Sequence, residues 1–325
     1  MIGQDHIRRI TQVLSGAEIT AVADANPATA KNVADQLRTV SVHDTGAALI
    51  ADSNVDAVIV ASWGPTHEEY VLASIAAGKP VFCEKPLATT QEACRRIIDA
   101  EVAVGRRLVQ VGFMRRYDTD YRALKKVIES GEIGAPLLYH SRHRNPSVPE
   151  TYTREMAITD TAVHDFDVVR WLLDEEFVAA RVMVPRPNRH GGDLQDPLLM
   201  LLETESGVVV DVETSVNIRY GYDIGGEVVG EDGVATLAER NPVVVRAAGR
   251  FAGDVPADWK VRFVAAYDTE FQEWIDGVIA GEGATGPSSW DGYAVAAVSD
   301  AVVEALHTGS RVAIDLGEKP TLYLK

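Results

Sequence analysis

A lysine that closes an apolar run, and a helical stripe of acid and imidazole groups, are the residues of this chain whose types and spacing could move a proton. Lys85 ends Val81-Phe82-Cys83-Glu84-Lys85-Pro86, while Asp160, His164 and Asp167 recur at helical intervals. An ammonium, an imidazole and carboxylates are what is needed to take a proton from a hydroxyl and to steady the oxygen left behind. Beside a nucleotide cofactor, that chemistry is a dehydrogenation. At about 100° per residue, a helix from Asp160 to Leu173 gathers Asp160, His164, Asp167 and Trp171 into one narrow stripe. Val163, Phe166, Val169, Leu172 and Leu173 fall in a broad arc elsewhere, so most of the helix is expected to be buried. The stripe is also compatible with an ordinary solvated face carrying an i,i+4 pair. A lone Glu-Lys-Pro is a weak signal as well, since Glu318-Lys319-Pro320 repeats it in the tail with no strand before it.

What raises Lys85 is the order of the elements around it. From Ile7 to about Val111 amphipathic helical stretches alternate with short apolar runs, the pattern of a parallel sheet covered on both faces. Strands are expected at 19–23, 40–42, 55–61, 80–83 and 108–111, with helices near 27–37, 46–50, 66–77 and 90–105. Pro27 suits a first helical turn and Gly78 a helix end. Beyond Gly112 the rhythm changes to a helix at 119–130, a strand at 137–144 and the helix from Asp160. Strands then dominate at 178–184, 197–204, 208–216, 222–229 and 243–247, before helices at 267–280 and 292–307. Glu205-Ser206-Gly207 and Glu231-Asp232-Gly233 read as turns between neighbouring strands, which suits an open, largely antiparallel sheet.

The expected class is therefore α/β. Residues 1–112 form a nucleotide-binding domain of Rossmann type, and 113–325 a substrate and oligomerisation domain of α+β type. The terminal helices are expected to pack back on the first domain. In that first fold a strand and a glycine-rich turn normally precede the first helix. Here the helix comes almost at once, so Met1-Ile2-Gly3 reads as the tail of a G-x-G-x-x-G fingerprint with Gly3 as its third glycine. The first strand and most of that turn are expected upstream, on a natural chain longer than this one. Asp24 closes the next strand about 20 residues later, where a carboxylate receives the adenosine ribose and repels a 2′-phosphate, favouring NAD over NADP. Asp24 could equally cap the helix at Pro27. Ser62 and His67 follow the strand at 55–61, at the carboxyl edge where ligands bind in such sheets, although His67 could also cap its helix.

Composition narrows the partners. The 325 residues include 31 Lys+Arg against 48 Asp+Glu, a net charge of −17, which disfavours nucleic acid and anionic membranes. The basic pairs Arg8-Arg9, Arg95-Arg96, Arg106-Arg107 and Lys125-Lys126 are scattered and read as solvated faces. Cys83 and Cys94 form neither a disulfide framework nor a metal-ligand set, and no further His or Cys shares the spacing of Asp160 and His164, so no metal is expected. No apolar run approaches a membrane span, and the first residues are not a secretory signal. A cytoplasmic location is expected.

Four stretches together resemble the Gfo/Idh/MocA oxidoreductase family over essentially the whole chain: 77–88 around Lys85, Val111-Gly112-Phe113-Met114-Arg115-Arg116-Tyr117-Asp118, Asp160-Thr161-Ala162-Val163-His164-Asp165-Phe166-Asp167, and 227–233. Within the family, His143-Arg144-Asn145-Pro146 and Tyr220-Gly221-Tyr222-Asp223 resemble substrate-contacting elements of its inositol-oxidising members. The resemblance implies NAD-dependent oxidation of a cyclic polyol, myo-inositol to 2-keto-myo-inositol. It implies Lys85, Asp160 and His164 as the catalytic group, and Ile2, Gly3, Asp24, Ser62, His67, Glu84 and Lys85 at the cofactor. Arg115, His143, Asn145, Asp167 and Tyr222 would line the polyol site, in a homodimer or homotetramer. Competing readings are a dehydrogenase of another sugar or polyol, an NAD-dependent glycosidase of the same family, and a nucleotide-binding sensor or corepressor.

Overall fold

A computed structural model describes residues 2–37, 39–238 and 243–324. The chain divides into two compact units, Met1–Phe113 with Tyr267–Ala296 and Gly317–Lys325, and Met114–Ala266 with Ala297–Leu316.

In the first unit, helices α1 (Ile2–Gln12), α2 (Pro27–Ala34), α3 (Gly46–Ala51), α4 (His67–Ala76) and α5 (Gln91–Val104) alternate with strands β1 (Ala21–Val22), β2 (Ser41–Val42), β3 (Val58–Val60), β4 (Val81–Cys83) and β5 (Val109–Val111). Side-chain oxygens of Asn26, Thr45 and Thr90 accept the backbone N–H groups that begin α2, α3 and α5. Gly105 ends α5 in the left-handed region at φ 69°. The ladders are parallel, β1 with β2, and β3 with β4 with β5. The two pieces share no ladder hydrogen bond among the described residues. Every residue of β4 and β5 is buried, as expected of parallel strands covered on both faces. Phe82 of β4 packs with Ile10 of α1 and with Phe271, Trp274 and Ile275.

The second unit holds α6 (Thr119–Ser130), β6 (Pro136–Arg144), a π-helical segment (Ala157–Ala162) leading into α7 (Val163–Leu173), β7 (Phe177–Met183), β8 (Leu198–Thr204), β9 (Val209–Ser215), β10 (Asp223–Gly230), β11 (Val234–Thr236), and a hairpin of β12 (Val245–Ala247) and β13 (Arg250–Ala252). Helices α8 (Trp259–Ala280) and α9 (Ser289–Thr308), whose residues 267–280 and 289–296 belong to the first unit, follow, then β14 (Val312–Ala313). The seven-stranded sheet runs β11-β10-β6-β9-β8-β7-β14, and only β6 with β9 is parallel. In β8, Leu198, Met200, Leu202 and Thr204 point to the buried side and alternate with half-buried residues, the period of a strand with one covered face. On β6 the covered side takes Tyr139, Ser141 and His143.

The regular helix expected from Asp160 differs in its first turns, because residues 157–162 follow the wider π pitch and only Val163 begins the α-helix. Such segments recur at functional sites, where they re-aim side chains. The residues of the expected stripe accordingly do not share one environment: Asp160 is exposed, His164 and Trp171 are half-buried, and Asp167 is fully buried.

The basic pairs are also not simply solvated. In each pair one member is exposed while the other turns inward. Arg9 meets Asp268, Arg95 lies over Tyr293, Arg107 donates to the Gly286 carbonyl, and Lys125 donates to the Trp171 carbonyl.

Candidate active site

In the first unit the candidate residues gather at the carboxyl ends of the parallel strands. Lys85 follows β4 directly and is half-buried, and the Lys85–Pro86 peptide bond is cis. Its backbone N–H is 3.3 Å from Oε2 of Glu84. The other oxygen of this buried carboxylate lies 2.6 Å from His6 Nε2, and His6 Nδ1 is 2.9 Å from Arg9 Nη1. Arg9 donates in turn through Nε to Asp268 at 2.6 Å.

His67 is buried beside this loop, with Nδ1 2.7 Å from the Pro86 carbonyl and Nε2 3.1 Å from the Ser62 carbonyl. It therefore bridges the loops after β3 and β4. Both ring nitrogens face backbone oxygens, which makes His67 a strut of the loop rather than a group reaching outward. Ser62 is exposed, its hydroxyl 2.7 Å from that of Thr66. Ile2 and Gly3 open α1, and a Cβ built on Gly3 would lie 3.5 Å from that of Ala61, just past β3. Asp24 follows β1, where Oδ1 accepts the Asn26 N–H at 2.8 Å. The cap of α2 is Asn26, so Asp24 is released from that duty.

In the second unit the residues around His164 form two buried ion-pair clusters. Asp165, wholly buried on α7, accepts from Arg115 Nη1 at 2.6 Å, Ser141 Oγ at 2.7 Å and His143 Nδ1 at 2.6 Å. An ionised carboxylate only accepts, so Nδ1 of His143 carries the proton there. The nearby Arg115 Nη2, 3.0 Å from the same nitrogen, then has a charge contact rather than a hydrogen bond. Burial alone would raise the Asp165 carboxyl, but the Arg115 guanidinium and then His143 outweigh it and hold it well below the usual carboxylate range. Asp167 is gripped by Arg116 through Nε at 2.9 Å and Nη2 at 2.5 Å.

Tyr222 is buried with its ring edge-on to His143, 5.8 Å between centroids. Burial pushes its phenol up to about 12, against the pull of Arg115. Asn145 is half-buried just past β6, its backbone bonded to Ser215 and Ile218. Asp160 stands exposed on the π segment, 3.5 Å from the Tyr152 hydroxyl, which also contacts Thr161 Oγ1 at 2.6 Å.

Arg115, His143, Asp167 and Tyr222, expected to line a polyol site, are thus buried and tied to protein partners or packed against them. Their contacts join β6, α7 and the segment after β5. Asp165, Ser141, His6, Arg9 and Asp268 were not singled out from the sequence. Arg9 reads there as part of a solvated basic pair, and Asp165 only as part of the stretch 160–167. Among the described residues no cluster of three or more His, Cys, Asp or Glu side chains could hold a metal ion. No described helix is long and apolar enough to cross a membrane.

Residues 1–113 match the Gfo/Idh/MocA oxidoreductase family's NAD-binding Rossmann fold, and residues 125–314 match the same family's C-terminal alpha/beta domain. An inositol 2-dehydrogenase of Agrobacterium fabrum is 55% identical over 325 residues, covering 99% of this chain and 96% of that protein. One from Burkholderia cenocepacia is 54% identical over 324 residues, with the same coverage of 99% and 96%. The crystal structure of myo-inositol dehydrogenase from Lactobacillus casei in complex with NAD(H) and myo-inositol superposes with a TM-score of 0.97 at 40% identity, covering 100% of this chain and 97% of that one.

Proposed function

The chain belongs to the Gfo/Idh/MocA oxidoreductase family, and from that membership we propose that it oxidises myo-inositol to 2-keto-myo-inositol with NAD. It is an NAD-dependent oxidoreductase acting on CH–OH groups. The observation that carries the substrate is the 55% identity to an inositol 2-dehydrogenase across 99% of the chain.

The residues present fit the cofactor. The N-terminal turn of α1 offers the positive end of a helix dipole to a pyrophosphate. Gly3 there leaves the backbone open to close approach. Asp24 follows β1, where a carboxylate accepts from ribose hydroxyls. Bound NAD supplies the acceptor for the hydride that leaves the carbinol carbon.

The chain's own groups handle the proton. His164 takes the hydroxyl proton as the carbon–hydrogen bond breaks, and Asp160 orients the imidazole or a neighbouring hydroxyl. Lys85 donates a hydrogen bond to the reacting oxygen and steadies the negative charge that develops on it. Asn145 pairs with a substrate hydroxyl, so that a misplaced hydroxyl leaves a polar group unpaired and the stereochemistry is selected. Arg115, His143, Asp167 and Tyr222 complete the proposed polyol lining, each held in place by its protein partners.

A homo-oligomer in the cytoplasm completes the reading. The seven-stranded sheet leaves Leu138, Val209 and Met183 exposed on its open face, and both cysteines are buried outside any disulfide, as suits a reducing compartment. The test is NADH formation from NAD and myo-inositol, scored beside scyllo-inositol and glucose. Turnover preferring myo-inositol supports the reading. Cleavage of a glycoside without net NADH would replace it with the glycosidase.

A further inference from the structure

The segment bearing Lys85 is held from below by a chain of buried charges that the hydride chemistry does not use. It runs from Asp268 through Arg9 and His6 to Glu84, with side-chain contacts of 2.6, 2.9 and 2.6 Å. His6 and Arg9 are 1% and 3% exposed, and Glu84 is 6% exposed. Groups buried this deeply are costly unless each finds a partner.

Proton bookkeeping fixes the chain's direction. A guanidinium only donates, so His6 Nδ1 must accept from Arg9, and the ring proton therefore sits on Nε2 and points at Glu84. Only one tautomer satisfies both contacts. The imidazole is also wedged by rings, 4.3 Å from Phe271, 5.9 Å from Tyr267 and 6.1 Å from Phe82 between centroids, so it cannot turn away. Glu84 Oε2, the oxygen not taken by His6, receives the Lys85 backbone N–H and lies against Gly112, where a Cβ would come within 3.2 Å. The carboxylate is thus fixed at one oxygen by His6 and fixes Lys85 with the other.

We infer that His6 and Arg9 are positioning residues for Lys85, acting through Glu84. The inference rests on the reading of Lys85 as a group that contacts the reacting oxygen. It extends the machinery to α1 and α8, which carry none of the groups assigned to the proton transfer.

The ring wedge and the hydrogen bonds can be separated. In His6→Phe the packing stays while donor and acceptor are lost; in His6→Gln one amide restores a donor toward Glu84 and an acceptor toward Arg9. With myo-inositol, His6→Phe is expected to lower kcat on the order of tenfold or more, the scale of a displaced catalytic group, while His6→Gln stays within about threefold of the parent. KM for NAD should stay level in both. The kinetic isotope effect with substrate deuterated at the reacting carbon should rise in His6→Phe, because a misplaced Lys85 slows the chemical step itself. A merely structural role would reduce the amount of active enzyme and leave that ratio unchanged. In a Glu84→Gln background, His6→Phe should add no further loss. If His6→Phe does not fold, Arg9→Met removes the donor that fixes the tautomer and gives the same comparison, since Asp268 is partly solvated.

Hydrogen exchange over residues 82–88 provides an arm that needs no substrate: it should quicken in His6→Phe and not in His6→Gln. Absence of myo-inositol turnover in the parent would count against the proposed function and leave this arm standing. Equal losses in the Gln and Phe variants, an unchanged isotope effect, or unchanged exchange would overturn the positioning role.

Discussion

His143 Nδ1 lies 2.6 Å from Asp165 Oδ2, joining the covered face of β6 to the first turn of α7. Asp165 adjoins His164 in sequence, so the anchor that fixes one carboxylate also fixes the start of the helix that presents the imidazole. Ser141 and Arg115 complete the grip on the same carboxylate. Alternation along β6 sends residues 141 and 143 to one side, which lets two donors from one strand meet one acceptor.

Removing that charge should therefore cost both stability and turnover. Asp165→Asn leaves the buried Arg115 without its counter-ion, and breaking such a pair costs about 3–5 kcal/mol. Urea unfolding should show a loss of this size, with kcat falling as well. A variant as stable as the parent would show the cluster to be energetically idle.

The same cluster gives stability a pH dependence with a definite sign. The Asp165 carboxyl is lowered in the folded chain, by Arg115 and then His143 against the opposing effect of burial. Below its unfolded value of about 4 the unfolded chain binds a proton that the folded chain refuses. The contribution is whole above that pH and fades as acid is added. The stability gap between the parent and Asp165→Asn should accordingly narrow between about pH 5 and pH 2. A gap independent of pH would contradict the assignment.

His164→Ala tests the proposed base directly. Loss of a positioned general base lowers kcat by about 10²–10⁴-fold. Affinity for NAD, measured by calorimetry without substrate, should be retained, because the residues assigned to the cofactor lie elsewhere in the chain. Near-normal turnover would transfer the base role to Lys85.

The layout was legible where a physical pattern is local. Alternation exposed the strand at Leu198–Thr204, Pro27 sits at the first turn of α2, and the turn at Ser206-Gly207 separates β8 from β9. The π pitch before α7 was not legible, because 3.6-residue periodicity presumes the regular helix it is used to find. Strands β11 and β14, of three and two residues, exist through pairing with β10 and β7 rather than through their own propensity. The start of α8 at Trp259 lay ahead of the expected Tyr267 for a related reason: Val261 and Val264 are exposed there, so apolar spacing is a poor guide to that helix's first turns. The ion clusters escaped notice because their members are far apart in sequence. Arg115 and Asp165 are separated by 50 residues, and Arg9 and Asp268 by 259, distances at which spacing carries no information.

One such distant partner sets a prediction for the tail. Buried Glu101 accepts the Leu108 N–H at 2.6 Å and the Val109 N–H at 2.9 Å, and its second oxygen takes Ser289 Oγ at 2.5 Å and Tyr323 Oη at 2.8 Å. Burial and then the Glu101 charge raise the Tyr323 phenol, so it remains a donor at any working pH. Tyr323→Phe should cost about 1.5–3 kcal/mol, the scale of a hydrogen bond to a charged group. Thermal unfolding would measure it, and an unchanged midpoint would show that the tail is held by packing alone.

Asp24→Ala tests the proposed discrimination between the two nicotinamide cofactors. One oxygen is engaged by the Asn26 N–H, which orients the carboxylate at the end of β1 while Asn26 takes over the helix cap. The carboxylate can therefore serve a ribose without weakening α2. Its loss in Asp24→Ala removes charge-assisted hydrogen bonds of about 1.5–3 kcal/mol, a roughly ten- to hundredfold rise in KM for NAD. It also removes the repulsion of a 2′-phosphate, so NADP turnover should rise while NAD turnover at saturation changes little. A variant that keeps its NAD preference would place the ribose contact on another residue.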